Sequence, residues 1–142
     1  MRAHVRQDER GAALIEMAFT IPILLLISVA IFEFGRAYQT WQVLTNATRE
    51  GARVAILMET TDTAVRDTVR AYMQSGRLPN APGATINIDR NVPMGTSTAS
   101  QVTVNYPFQF IVLNPVMRLV NRNSTAGGPL TLQSVVLMRN EG

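Results

Sequence analysis

A long apolar segment near the amino terminus constrains this chain more than any other feature. Residues 12–32 contain a single charged side chain, Glu16, and directly follow Gly11. A helix needs about 20 apolar residues to cross the hydrocarbon core of a bilayer, so the segment is long enough. A carboxylate within such a span costs about 2.5–3.5 kcal/mol at the membrane centre and less toward its edge. The sequence therefore predicts one membrane-spanning helix, in which the presence of Glu16 needs a specific reason.

The residues on either side of the segment indicate its orientation. Arg2, Arg6 and Arg10 precede it, whereas Glu33 follows it before the next arginine, Arg36. Because arginine is enriched on the cytoplasmic side of membrane spans, we expect the amino terminus in the cytoplasm. The carboxyl-terminal part is then extracytoplasmic.

Three interpretations of the amino-terminal region are compatible with these residues. A secretory signal peptide would be cleaved after Ala30, although apolar residues continue beyond that position. A plain single-pass anchor accounts for the length and leaves Glu16 unexplained. The favoured interpretation rests on a likeness to type IV prepilins, in which a short polar leader ends at a glycine and a glutamate stands fifth in the remaining chain. Residues 1–11 would then be a leader, and a prepilin peptidase would cut between Gly11 and Ala12.

Cleavage at that position would give Glu16 a role. The new ammonium group on Ala12 would lie about 6 Å from Glu16 along the helix axis. In a bundle of such helices, the carboxylate of one subunit could pair with the amine of its neighbour, which would offset the desolvation of both charges. Pro22 lies within the span and removes a backbone donor, so it either introduces a kink that helps packing or is simply tolerated.

The composition excludes several kinds of catalytic site. The chain has no cysteine, and its one histidine, His4, lies in the expected leader. Its 13 basic residues are all arginine. Cysteine, serine–histidine and serine–lysine nucleophiles and ordinary zinc sites are therefore excluded from the mature chain. The acidic residues considered for catalysis, which show neither metal-ligand spacing nor an acid beside a base, are Glu59, Asp62, Asp67, Asp89 and Glu141. We predict no enzymatic activity and no cofactor.

The charge distribution gives no indication of nucleic-acid binding. The net charge is +3, and the arginines are scattered, several of them beside acids. A nucleic-acid-binding protein typically concentrates its basic residues on one face, so we expect no nucleic-acid partner.

Helical periodicity continues beyond the span. Apolar or small residues follow the 3,4 spacing of one helical face at Val43, Leu44, Ala47, Gly51, Val54, Ala55 and Met58. An unbroken helix over residues 12–58 would be about 70 Å long, and the bilayer core takes about 30 Å of that. We therefore predict that residues 33–58 form a stalk on whose apolar stripe a small domain packs.

Two short motifs in this stalk carry a family resemblance. Residues 33–36 read EFGR and residues 45–53 read TNATREGAR. Together with the span they resemble the signature of TadE-like proteins, the pseudopilins or minor pilins of tight-adherence (Flp, type IVb) pilus systems. The likeness covers residues 8–58 and is looser over residues 102–108 and 130–141. The motif residues are Glu33, Gly35, Arg36, Arg49, Glu50, Gly51 and Arg53.

The resemblance implies a location, a maturation step and a set of partners. It implies a type IV pilin-like protein of the bacterial inner membrane, or of the pilus itself, that acts in pilus biogenesis or surface adhesion. The implied partners are a prepilin peptidase, other pilins and pseudopilins, inner-membrane pilus assembly proteins and the lipid bilayer. Met17 follows Glu16, where Flp major pilins usually have tyrosine, and this favours a pseudopilin. The alternatives are a type II secretion pseudopilin and a membrane-anchored extracytoplasmic binding module.

The charged motif residues have two interpretations. Glu33 and Arg36 are three positions apart, and Glu50 lies within helical reach of Arg49 and Arg53. Surface ion pairs within the helix account for them, and so do contacts between subunits.

Residues 59–142 predict a small α+β head domain. Thr60, Thr61 and Asp62 offer a helix N-cap, and the helix that follows ends at Gly76. Its expected core positions are Val65, Val69, Tyr72 and Met73. Residues 78–83 form a turn-rich link, and residues 85–89, 101–106 and 130–137 predict strands separated by polar loops at 91–100 and 121–129. The expected fold is a three- or four-stranded antiparallel sheet packed on the stalk and the second helix.

The apolar stretch at residues 109–120 is ambiguous. It could continue a strand, or a short helix could start at Pro115. We expect it to be buried in the core, with a surface that contacts a partner as the alternative.

Overall fold

A computed structural model of the chain describes residues 3–57, 59–112, 114–115 and 130–140, with side chains from residue 11 onward. Its longest element is helix α1, Ala3–Ala55, which contains Pro22. This helix covers both the apolar segment and most of the predicted stalk. Helix α2, Asp62–Ser75, and a short 3₁₀-helix, Ala81–Gly83, follow it.

Three strands complete the fold. They are β1, Thr85–Met94, β2, Ser97–Phe108, and β3, Leu130–Arg139. The sheet order is β1-β2-β3 and both pairings are antiparallel. The fold is therefore α+β, with a long amino-terminal helix, a second helix and a three-stranded antiparallel sheet, as the sequence predicted.

The core lies between the carboxyl-terminal part of α1, helix α2 and one face of the sheet. Alternate residues of β2 point into it, because successive side chains in a strand face opposite sides of the sheet. The fully or almost fully buried residues include Leu44, Ala47, Ala52 and Ala55 of α1, Val65, Val69 and Met73 of α2, and Val102, Val104, Tyr106 and Phe108 of β2. The predicted apolar stripe of the stalk is thus the face on which the head packs.

Helix α1 ends at Ala55, three residues before the predicted end at Met58, which lies outside the described residues. The Ala55 carbonyl accepts hydrogen bonds from Nη1 of Arg90 at 3.0 Å and from Oγ of Ser100 at 3.5 Å. In a longer helix this carbonyl would bond to the amide four residues further on. Side chains from the sheet therefore take the place of another helical turn.

Helix α2 agrees with its predicted boundaries. The Thr61 hydroxyl accepts a hydrogen bond from the Ala64 amide at 3.3 Å, as an N-cap residue does, and Gly76 is the C-cap. Val65, Val69 and Met73 are buried as expected, but Tyr72 is exposed. The prediction for Tyr72 is wrong because three other residues at 4-residue spacing already fill the face that contacts α1 and the sheet.

The prediction of a polar loop at residues 91–100 is also wrong. β1 and β2 continue through it as a hairpin, with Val92 opposite Ala99 and Met94 opposite Ser97. Gly95, at φ +63°, forms the turn, in a conformation that glycine adopts without steric cost. A shift in register between Asp89 and Val92 marks an irregularity in the pairing. The predicted loop at residues 121–129 lies outside the described residues.

Candidate functional site

The apolar part of α1 is exposed around its whole circumference. Large apolar side chains that point in every direction include Leu14, Ile15, Phe19, Leu24, Leu25, Ile31 and Phe32, each more than half exposed. The span is the one helix among the described residues that is long and apolar enough to cross a membrane, and none of its most apolar window is buried. An apolar surface of this size fits a membrane-anchored protein.

The expected processing residues lie at the start of this exposed region. Gly11, Ala12 and Glu16 are all exposed, and no atom lies within 4 Å of the position that a Cβ on Gly11 would take. Pro22 is exposed in the middle of the span. Within the isolated chain, these residues are thus accessible to a partner.

Glu33, the first residue after the span, is the centre of a buried polar contact. Its side chain is fully buried, and its Oε1 accepts hydrogen bonds from the backbone amides of Ile111 at 2.7 Å and Val112 at 2.6 Å. Its Oε2 pairs with Nη1 of Arg36 at 2.8 Å. We call this arrangement the Glu33 clamp. It attaches the segment that follows β2 to the helix at the level where the apolar run ends.

Aromatic rings surround the clamp. The Arg36 guanidinium lies over the Phe108 ring, 5.2 Å from its centroid. Phe110 packs edge-on against Phe108, with ring centroids 5.2 Å apart, and against Phe34, at 6.3 Å. Apolar rings lower the local dielectric, and this strengthens the polar contacts that the carboxylate makes.

The clamp changes the interpretation of the first motif. The Glu33–Arg36 pair forms as expected, but Glu33 is buried rather than on the surface. Gly35 lies on the exposed side of the helix, and a Cβ added to it would meet no atom within 4 Å. The ambiguous stretch also differs from expectation, since Ile111 and Val112 are exposed and not part of the core. Most of residues 113–120 lie outside the described part of the chain.

The second motif divides between core and surface. Gly51 is buried, and a Cβ on it would collide with Cγ2 of Val69 in helix α2. Arg49 and Arg53 are exposed, and Arg53 approaches Glu50 at 3.8 Å. Glycine therefore permits the close approach of the two helices, whereas the two arginines are available at the surface.

A second polar network, at the far end of the head, was missed by the sequence reasoning. Arg90 donates from Nε to Asp62 at 2.8 Å, from Nη1 to the Ala55 carbonyl and from Nη2 to the Thr60 carbonyl at 2.6 Å. Asn140 in turn donates to the Arg90 carbonyl at 3.1 Å. Nothing local in the sequence signals this network, because its partners are 28 to 50 positions apart. It joins the end of α1, the start of α2 and the sheet.

The described residues do not bring together any group of three or more histidine, cysteine, aspartate or glutamate side chains suited to a metal ion. Among them, Glu33 and Asp62 belong to the two polar networks described above.

Comparison with protein families gives one match. The model of a family described as TadE-like protein matches residues 11–53. Over these residues the amino-terminal helix is therefore similar to TadE-like proteins. The match begins at Gly11, covers the exposed span and includes Glu33, Arg36 and Gly51. The match supports an association of this chain with tight-adherence pilus systems. Comparisons with curated proteins and with solved structures give no match.

Proposed function

We propose that the chain is a pseudopilin, or minor pilin, of a tight-adherence (Flp, type IVb) pilus. A prepilin peptidase removes residues 1–11, and the mature protein acts in pilus biogenesis or surface adhesion from the bacterial inner membrane. Its amino terminus is cytoplasmic and its head is extracytoplasmic. In this proposal residues 12–32 span the membrane, residues 33–58 are the stalk and residues 59–142 are the head.

The observation that supports this role best is the continuity of α1. One helix carries the exposed apolar segment, and its last turns contribute Leu44, Ala47, Ala52 and Ala55 to the core of the head. Because the helix is continuous, the position of the head is fixed relative to the molecules that surround the span. In a membrane the surroundings are lipid, and in an assembled fibre they are the apolar helices of neighbouring subunits.

Glu16 is the proposed assembly contact within the span. It is exposed, and the apolar side chains around it have no partner within the described part of the chain. After cleavage, pairing with the Ala12 ammonium of a neighbouring subunit would satisfy both charges in a low-dielectric bundle. We expect Glu16→Gln to be processed normally but to copurify poorly with the other pilus subunits. The control Thr20→Ser alters the same exposed helix without removing a charge.

The decisive experiment is the intact mass of the protein purified from its native membrane. A mass that lacks residues 1–11, with Ala12 as the new terminus, supports the proposal. Gly11→Leu is the matched control and should leave the leader in place, since it changes the residue before the cut. A full-length wild-type chain would instead support the single-pass binding module, and a start at Ile31 would indicate a signal peptide and refute the pseudopilin.

Copurification separates the remaining alternatives. A protein that is processed at Gly11 and associates with tight-adherence pilins fulfils the proposal. Processing together with association with type II secretion components would assign it to that machine. Retention in the membrane with neither partner would leave the binding module.

A further inference from the structure

The segment that follows β2 exposes apolar side chains beside α1, at the level where the apolar span ends. Residues 109–112, which we call the interface loop, lie against α1 next to Glu33. Ile111 is 60% exposed and Val112 is 38% exposed, and the neighbouring Phe34 of α1 is 63% exposed. These side chains form an apolar surface on the head itself, outside the span.

The Glu33 clamp fixes the height of this surface along α1. The 21 residues of the span, 12–32, rise about 31 Å, which matches a hydrocarbon core of about 30 Å. Glu33 then lies at the outer boundary of the core. Since the amides of Ile111 and Val112 are within 2.7 Å of its carboxylate, the interface loop lies at the same boundary.

The Glu33 clamp also makes the loop suited to the boundary of the hydrocarbon core. A backbone amide without a partner is costly in an apolar medium, where water cannot bond to it. The two amides nearest the exposed side chains both donate to Glu33, and the Glu33 charge is paired with Arg36. Ile111 and Val112 thus point outward while their backbone amides are bonded inward.

Aromatic side chains extend the same surface along the helix. Phe34 and Tyr38 are both exposed, one and five positions beyond Glu33. The headgroup region begins at the edge of the hydrocarbon core, and aromatic residues are enriched there. These rings and the interface loop would occupy one layer of the membrane.

We propose that the interface loop is a membrane anchor, with Ile111 and Val112 inserted at the boundary between lipid headgroups and acyl chains. The head therefore rests on the outer surface of the bilayer at this end, while its other end points away. The surface is continuous with the span, and this continuity identifies lipid as its occupant. The inference rests on the membrane span of the proposed function but not on processing or on a role in a pilus.

The absence of cysteine from the chain allows a direct test. Single-cysteine variants of the full-length protein are labelled with a fluorophore and placed in phosphatidylethanolamine–phosphatidylglycerol vesicles at a low protein-to-lipid ratio. Ile111→Cys reports on the loop, Phe19→Cys on the span, and Thr96→Cys on the exposed β1–β2 turn, at the opposite end of the head. Each label is exposed first to iodide in the aqueous phase and then to nitroxide quenchers attached to lipids at shallow or deep positions.

We expect the label at Ile111 to lose most of its emission to the shallow lipid quencher and to resist iodide. The label at Phe19 should respond to the deep quencher, and the label at Thr96 should respond to iodide alone. A label at Ile111 that behaves like the one at Thr96 would overturn the proposal. Shielding of Ile111 from both quenchers would also overturn it, because protein rather than lipid would then cover the loop.

A second pair of variants tests the clamp. In the Ile111→Cys chain, Glu33→Ala should reduce lipid quenching at Ile111 and leave a separate Phe19 label unchanged. Glu50→Ala, which removes a partly exposed glutamate from the same helix, should change neither signal. If the Phe19 label itself failed to reach lipid, the span would be refuted together with this inference. Lipid contact at Phe19 but not at Ile111 refutes the inference alone.

Discussion

Removal of the Glu33 carboxylate should release the interface loop without unfolding the head. Glu33→Ala eliminates two hydrogen bonds from the Ile111 and Val112 amides, at 2.7 and 2.6 Å, and the 2.8 Å pair with Arg36. A hydrogen bond to a charged group contributes about 1.5–3 kcal/mol. Because water can replace part of what is lost at a partly buried loop, we expect local opening to become easier by about 3 kcal/mol.

Glu33→Gln gives a graded comparison on the same structure. Both amides donate to one oxygen, Oε1, so the amide oxygen of glutamine can still accept from them. The second bond, to Arg36, is lost, since the glutamine NH₂ group is a donor facing another donor. The Arg36 bond lies within α1 and forms whether the loop is open or closed, so its loss does not itself ease opening. We expect Glu33→Gln to ease opening of the loop by about 1–1.5 kcal/mol, because a neutral oxygen accepts from the two amides less strongly than a carboxylate does.

Hydrogen exchange of the Ile111 and Val112 amides measures this effect in the full-length protein in micelles. A change of about 3 kcal/mol corresponds to exchange about two orders of magnitude faster, and about 1–1.5 kcal/mol to about tenfold. Core amides of β2 should keep their protection, because the opening is local. Glu50→Ala is the control, since its partner Arg53 lies 3.8 Å away at the surface. Unchanged exchange in Glu33→Ala, or an equal change in Glu50→Ala, would refute the reasoning.

Two further predictions concern the stability of the head, measured by urea unfolding of the full-length protein in micelles. Gly51→Ala should destabilise it by about 1 kcal/mol, because overpacking against Val69 outweighs the gain in helix propensity. Gly35→Ala is the control, because a Cβ there meets no atom within 4 Å, and it should be neutral or stabilising by up to about 1 kcal/mol. Equal effects of the two substitutions on stability would contradict this explanation. Arg90→Met should cost about 2 kcal/mol, since three hydrogen bonds that join α1, α2 and the sheet are lost. An unfolding midpoint unchanged by Arg90→Met would mean that this network does not hold the elements together.

Features determined by nearby residues were predictable from the sequence. The apolar stripe of the stalk, the Thr61 cap and the core positions of α2 follow from 3,4 spacing and from a capping side chain three residues before its donor. The inner face of β2 follows from simple alternation. In each case the determining residues are within a few positions of one another, so a single sequence carries the information.

Features determined by distant residues were not predictable. The residues 91–100 lack apolar alternation, and they are extended because β1 and β2 pair with each other through backbone groups. Burial of Glu33 depends on amides 78 and 79 positions away. The sequence placed Glu33 in a helical ion pair, which is correct for Arg36, but local spacing contains no information about the loop that covers it.

The motif residues of the first helix therefore perform two different tasks. Glu33 and Gly51 face inward and hold the head on α1 at two levels about 27 Å apart along the helix axis. Attachment at two separated levels prevents the head from turning about the helix, so the orientation of the span also sets the orientation of the head. Arg49 and Arg53 are exposed, and Arg53 approaches Glu50 at 3.8 Å. In the proposed assembly, a neighbour that packs against the span would meet the two arginines at a fixed angle. We therefore propose these arginines, rather than Glu33, as the motif residues for recognition between subunits.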